Sequence, residues 1–166
     1  MAELTQKERL QPSLLDRLAD DDVASHAESR DQRIMSFQKL RSLVMRDLAW
    51  LLNCESLENL EDLSEFPHVR NSVVNFGIPV LSGKTLSGLN VVDLERRVRQ
   101  AIKDFEPRIL SDSVEVRAQV TSALMSNNSL EIDIEGELWA QPIPLRLFLR
   151  TEVDLDIGSI TVKDVS

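Results

Sequence analysis

The sequence predicts an α+β domain, with N-terminal helices packed on a small antiparallel β-sheet that the C-terminal half mainly forms. Up to Phe105, apolar side chains recur every three or four positions, which is the period of a helix that buries one stripe. From Val114 onward they alternate with polar side chains, which is typical of half-buried strands. Helices followed by hairpins indicate that the helices cover one face of the sheet.

The 166 residues are predicted to divide into a short tail and one domain. Residues 1–32 are expected to form a flexible tail with a docking segment near 12–18. There Leu14, Leu15 and Leu18 supply about one and a half helical turns, too few to stand alone in water. Residues 33–166 are expected to form a single α+β domain of ordinary size.

The elements of this domain follow from apolar periodicity and from the residues that start and stop helices. Helices are predicted from Arg33 to Asn53, from Pro67 to Val74 with closure near Gly77, and from Val91 to Phe105 with Asn90 as the cap. Residues 78–88, rich in Gly and Ser, are expected to form a loop. Strands are predicted at Val114 to Thr121, Leu130 to Ile134, Leu145 to Ile157 and Ile160 to Lys163, with a turn at Asn127 and Asn128.

Composition excludes several classes of function. A net charge of -9, from 28 Asp and Glu against 19 Lys and Arg, argues against nucleic acid as a partner. Cys54 is the single cysteine and is expected to be buried, and no Cys or His stands at metal-ligand spacing, so we expect neither a metal nor a cofactor. The chain start has no apolar signal core, and no apolar run approaches the roughly 18 residues of a membrane span. We therefore expect a cytoplasmic protein without direct membrane insertion.

The tripeptide Glu106-Pro107-Arg108 stands where the last helix must stop. Proline lacks an N–H and pushes the preceding residue toward extended geometry, so both charged side chains are placed on a stiff corner. Two interpretations remain open. Glu106 and Arg108 are contact residues that Pro107 presents to a partner, or they are solvated or paired with each other.

Several short motifs, taken in order, resemble the TssE family, the small baseplate component of bacterial type VI secretion systems. The motifs are Leu14-Leu-Asp-Arg-Leu18, Arg46-Asp-Leu-Ala-Trp-Leu-Leu-Asn53, Asn75-Phe-Gly77 before Leu81-Ser-Gly83, and Phe105-Glu-Pro-Arg-Ile109. TssE is similar to a baseplate wedge protein of contractile phage tails that was once described as lysozyme-like. The resemblance implies a small α+β fold and a structural role.

That role would join the baseplate wedge, built from TssF, TssG and TssK, to the first ring of the contractile sheath of TssB and TssC, at the inner face of the cytoplasmic membrane. The resemblance implies that Glu106, Pro107 and Arg108 bind a helical bundle of TssF and TssG. It also implies that sheath strands add to the C-terminal sheet, so that its last strands act as a template. The template residues expected there are Val153, Leu155, Ile160 and Val162.

Two other classes of function compete with this one. A lysozyme-like hydrolase that cleaves peptidoglycan usually needs two carboxyls flanking the scissile bond. Glu106 is the obvious acid, but it precedes a proline, stands near Arg108 and has no second carboxylate that the sequence identifies. We therefore expect no catalytic residues. A generic cytosolic adaptor is the other alternative. Trp50 and Trp139 are expected to be core or half-buried sheet residues rather than binding anchors.

Overall fold

The computed structural model describes residues 14–18, 37–85, 88–119, 129–139 and 145–165. The α-helices are α1 (Leu14–Leu18), α2 (Phe37–Leu52), α3 (Pro67–Arg70) and α4 (Val91–Phe105). The strands are β1 (Glu115–Gln119), β2 (Ser129–Leu138), β3 (Leu145–Asp154) and β4 (Ile160–Asp164). Most of the predicted tail and the predicted turn at Asn127 and Asn128 lie outside the described residues.

The two long helices form where the apolar period predicted them. The buried stripe of α2 includes Leu40, Val44, Leu48 and Leu51, and that of α4 consists of Leu94, Val98, Ala101 and Ile102. The α4 helix begins after Asn90, whose side-chain oxygen accepts a hydrogen bond of 3.1 Å from the N–H of Asp93.

The predicted helix from Pro67 to Val74 is interrupted, and this part of the prediction was wrong. Helix α3 ends at Arg70, and a separate 3₁₀ turn covers Val73–Asn75. Between them Ser72 adopts extended geometry, with φ -101° and ψ 165°, and its hydroxyl accepts a hydrogen bond from the N–H of Val74. The Ser72 side chain therefore starts a new turn where the apolar pattern alone predicted a continuous helix.

The sheet is antiparallel throughout, with the order β1-β2-β3-β4. Strand β3 stops at Asp154, short of the predicted Ile157. The Asp154 carboxylate accepts hydrogen bonds from the N–H groups of Asp156 and Ile157, and its carbonyl accepts one from Gly158. These bonds turn the chain, so Ile157 is 72% exposed, while Leu155 is buried in the turn just beyond the strand.

One apolar core joins the helices to the sheet. It combines the buried stripes of α2 and α4 with the inward side chains of β2 and β3, among them Ile132, Ile134, Leu147 and Leu149. Helices precede a four-stranded antiparallel sheet in the chain, so the predicted α+β class is confirmed.

The Asn75-Phe-Gly77 motif holds the end of α4 in place. Asn75 is buried, and its side chain bonds two main-chain groups of the preceding segment. The ring of Phe76 meets that of Phe105 edge to face, with centroids 5.3 Å apart. Gly77 has φ 132°, and a Cβ there would lie 2.5 Å from the Cys54 carbonyl oxygen. Only glycine fits this close approach, which places Phe76 against the residue that precedes Glu106.

Candidate partner-binding surfaces

The corner formed by Glu106, Pro107 and Arg108 is fixed at both ends by main-chain hydrogen bonds. The N–H of Glu106 donates to the Ile102 carbonyl at 2.9 Å, which completes the last turn of α4. On the other side, the Arg108 carbonyl accepts from the N–H of Trp139 at 2.7 Å, just beyond the end of β2. The corner therefore joins a helix end to a strand end.

The two charges of the corner pair with each other inside this frame. Arg108 donates three hydrogen bonds to the Glu106 carboxylate: from its main-chain N–H at 3.0 Å, from Nε at 2.7 Å and from Nη2 at 2.5 Å. The Glu106 residue is only 3% exposed, whereas Pro107 is exposed. The two charges are thus paired with each other, and Pro107 forms the outward face of the corner. The contact of this corner with a partner stays a prediction.

Arg108 also reaches helix α2, where its Nη2 donates to Oδ2 of Asp47 at 2.5 Å. Burial alone would lower the pKa of the Arg108 guanidinium, but hydrogen bonds and charge from Glu106, and then from Asp47, raise that pKa above its ordinary value. The guanidinium thus stays charged and bridges the corner to α2.

The ion pairs continue from Asp47 to the N-terminal helix. Arg46 contacts Asp47 at 2.7 Å and Asp16 of α1 at 2.8 Å, and the Asp16 side chain is only 6% exposed. The pKa of Arg46 is raised, chiefly by its hydrogen bond to Asp47. Charges of alternating sign therefore connect α1, α2 and the corner. The predicted docking segment near 12–18 contains α1, and this ion pair is one contact between α1 and the domain.

Aromatic and apolar side chains are exposed beside these charges. Trp50 is 52% exposed, and the Arg46 guanidinium carbon lies 5.1 Å from its ring centroid. Trp139, whose main chain holds Arg108, is 45% exposed. The prediction that both tryptophans are core or half-buried residues was therefore wrong. Large, partly exposed tryptophans are common anchors of protein interfaces.

The C-terminal sheet ends at β4, and this edge is only partly closed. Val153 lies in β3, which pairs with β2 on one side and β4 on the other, so β4 is the strand that reaches the sheet margin. Ile160 pairs with Val153, but its N–H and C=O face away from β3. Both groups form hydrogen bonds of 2.9 Å with the Asn53 side chain on the outer side of β4.

The main-chain groups of Val162 face the same way as those of Ile160, since outward groups alternate along an antiparallel edge strand. Among the described residues, Val162 has no hydrogen-bond partner outside the β3 pairing. The Val162 side chain is half-buried against the core. These groups form the unpaired part of the β4 edge.

The opposite margin, β1, is closed by side chains of α4. Glu95 accepts a hydrogen bond of 2.7 Å from the Ala118 N–H, and Arg99 donates one of 3.3 Å to the Val116 carbonyl. Charged side chains that bond an edge in this way block the addition of a further strand.

Sequence reasoning identified the corner but not its partners. Asp47 lies 61 residues from Arg108, and Asn53 lies 107 residues from Ile160. No local pattern links such pairs. The only available signal was that Arg46, Asp47 and Asn53 belong to one of the short family motifs. The exposed position of Cys54 was likewise missed.

The described residues contain no group of three or more His, Cys, Asp or Glu side chains placed to hold a metal ion. Within the same residues, no helix is long and apolar enough to cross a membrane.

The corner and the β4 edge are candidate surfaces for contact with other proteins. The chain belongs to the family described as baseplate wedge protein gp25, which matches residues 38–143. This is the family domain of TssE, so the resemblance is confirmed, and the match contains the motifs from Arg46 to Ile109. The family supports a structural role in a phage-tail-like baseplate, in assembly with other baseplate and tail proteins. Neither the curated proteins nor the solved structures include a match to this chain.

Proposed function

We propose that this chain is the baseplate subunit of a type VI secretion system that links the wedge of TssF, TssG and TssK to the first ring of the TssB and TssC sheath. It would act in the cytoplasm, in a baseplate at the inner face of the cytoplasmic membrane. The observation that carries the sheath contact is the outward main chain of Val162 on the edge strand β4, which has no hydrogen-bond partner within the described ranges. An extended strand of a partner can add there by β-augmentation.

The wedge contact is proposed for the surface around the corner. In this proposal Glu106 and Arg108 stabilise the conformation of the corner and do not contact the partner directly. Their charges are largely compensated by each other and by Asp47. The groups available to a partner are Pro107 and the exposed ring of Trp139. A helical bundle presents ridges of side chains between which such rigid apolar groups can insert.

This assignment changes how the wedge contact is tested. Reversing the charge of Glu106 would place a cation at a buried position beside the half-buried Arg108, so loss of binding in that variant would reflect loss of folding. The double variant Pro107→Ala/Trp139→Ser removes the exposed groups and keeps the ion pairs. Val92→Ser is the matched control, because Val92 is an exposed apolar residue at the far end of α4.

The measurement is copurification with coexpressed TssF and TssG. We expect the wild-type chain and Val92→Ser to form the complex, and the double variant to bind at least about 30-fold more weakly, the effect of removing one interface anchor of about 2 kcal/mol. If the wild-type chain does not bind, the proposed contact with TssF and TssG is refuted. If the double variant binds normally while folded, the corner is not the wedge contact.

We also propose that the chain does not catalyse hydrolysis of peptidoglycan. Glu106 is 3% exposed and its oxygens accept three hydrogen bonds from Arg108, so it is poorly placed to protonate a sugar. The carboxylate that shares Arg108 is Asp47, and the guanidinium lies between the two acids. Purified protein should leave peptidoglycan intact. Turnover that disappears in a folded Glu106→Gln variant would establish the hydrolase instead.

A further inference from the structure

The side chain of Asn53 occupies the β4 edge in the way that a neighbouring strand would. Its Nδ2 donates to the Ile160 carbonyl at 2.9 Å, and its Oδ1 accepts from the Ile160 N–H at 2.9 Å. These are the two groups through which an added strand would bond Ile160. A strand cannot form those hydrogen bonds while the carboxamide is in place.

Asn53 is itself held at the end of α2. Its Nδ2 also donates to the Ala49 carbonyl at 2.7 Å, one turn back in the helix, and its main-chain N–H donates to the same carbonyl at 3.2 Å. The carboxamide is therefore fixed by the helix, and its position on the edge does not depend on a partner.

Helix α2 also contacts the end of β4 that lies farthest from Ile160. Arg41 forms two contacts with the carboxylate of Asp164, from Nε at 2.5 Å and from Nη2 at 2.6 Å. The two anchors lie at opposite ends of both elements, so α2 runs antiparallel to β4. Val162 lies between them, and its outward main-chain groups have no hydrogen-bond partner in the part of the chain that the structure describes.

We propose that Asn53 determines the register of strand addition. It closes the start of the β4 edge at Ile160, so that a partner strand can bond β4 only from Val162 onward. This inference rests on the proposed function, in which β4 receives an extended strand of the sheath. A one-residue slip would turn every side chain of the added strand to the opposite face. The stop at Ile160 excludes every register in which the added strand would pair with Ile160.

The first arm of the test needs no partner. Amide hydrogen exchange followed by NMR should show a protected Ile160 N–H in the wild-type chain. In Asn53→Ala, exchange at Ile160 should become roughly tenfold faster, the factor that one lost hydrogen bond represents. Exchange at Val162 should not change. Unchanged protection of Ile160 in Asn53→Ala would overturn the proposal.

Two further variants serve as controls for the exchange measurement at Ile160. Asn59→Ala is the matched control, because the Asn59 carboxamide also bridges two main-chain groups, at Ile78 and Val80, away from β4. It should leave Ile160 protected. Asn53→Asp retains an acceptor for the Ile160 N–H, but its second oxygen would face the carbonyls of Ala49 and Ile160 where Asn53 has a donor, so it should also lose protection at Ile160.

The second arm places a photo-crosslinking amino acid at position 161 or 163 and adds TssB and TssC to preformed baseplates. Thr161 and Lys163 are both exposed. In a chain with Asn53 we expect sheath cross-links from position 163 and at least about tenfold fewer from position 161, because pairing starts at Val162. In Asn53→Ala the two positions should become similar.

The two failures can be told apart. If the chain with Asn53 cross-links to the sheath and Asn53→Ala gives the same pattern, the register role is wrong while the sheath contact stands. If neither position cross-links in the chain with Asn53, the proposed sheath contact at β4 is refuted, and the register role is refuted with it.

Discussion

Replacing Glu106 with Gln tests whether the ion pair of the corner stabilises the fold. The substitution keeps the size and shape of the side chain but removes its charge. Gln retains one oxygen that can accept from the N–H and Nε of Arg108. Its NH₂ group would then face Nη2, which now donates to Oε2 of Glu106 at 2.5 Å, so a donor would meet a donor.

The magnitude follows from burial and from the remaining partner. Removing one member of a buried ion pair costs about 3 to 5 kcal/mol. The Arg108 side chain is 23% exposed and keeps its contact with Asp47, so its charge is not left uncompensated. We therefore expect a loss of about 2 to 3 kcal/mol in the free energy of unfolding, close to the upper value for a charge-assisted hydrogen bond. A domain of ordinary stability survives this loss, because such domains have about 5 to 15 kcal/mol.

The assay is urea unfolding of the purified chain, followed by circular dichroism. The midpoint of Glu106→Gln should fall by about 1 M, given the slopes usual for small proteins. Asp104→Asn is the matched control, because Asp104 is an exposed carboxylate two residues away that accepts from Gln100. Its effect should stay within about 0.5 kcal/mol. A Glu106→Gln midpoint equal to that of the control would refute the structural role of the pair.

Two further predictions concern other parts of the fold. Gly77→Ala should lower the free energy of unfolding by at least about 2 kcal/mol, because the new Cβ would lie 2.5 Å from the Cys54 oxygen at φ 132°. Gly83→Ala, whose new Cβ would have open space around it, should lower the free energy of unfolding by less in the same thermal or urea unfolding assay. Hydrogen bonds from Arg96, and then from Arg97, hold the pKa of Asp93 below its usual value in the folded protein. The stability that Asp93 contributes is therefore fully present above the unfolded pKa of about 4. It is lost as the pH falls through the lower folded pKa. The difference in urea midpoint between the wild-type chain and Asp93→Asn should therefore be largest near neutral pH and shrink below about pH 4, and an equal difference at pH 7 and pH 3 would contradict this ion-pair effect.

The sequence predicted those parts of the fold whose signals are local. The stripes of α2 and α4, the cap at Asn90 and the alternation in the strands each depend on neighbours a few residues apart, and each was found. The break at Ser72 was missed because a single side-chain hydrogen bond overrides the apolar pattern there.

The candidate surfaces were predicted less completely, because they are made by distant pairs. Proline in the corner predicted a stiff turn, but not that Asp47 would share Arg108. Alternation predicted a C-terminal sheet edge, but pairing order decides which strand forms it, and β3 proved to be interior. The exposure of Trp50 depends on which face of α2 meets the sheet, and its apolar character alone suggested the opposite.

Sheath assembly on preformed baseplates that carry Val162→Pro tests the link between wedge and sheath most directly. The Val162 N–H faces away from β3, so proline removes the outward donor without breaking a bond of the β3–β4 ladder. Val162→Ala is the control, since it shortens the side chain and keeps the N–H. We expect folded Val162→Pro to bind TssF and TssG but to fail in starting a sheath, while Val162→Ala supports assembly. Normal sheath assembly on baseplates with Val162→Pro would contradict the account.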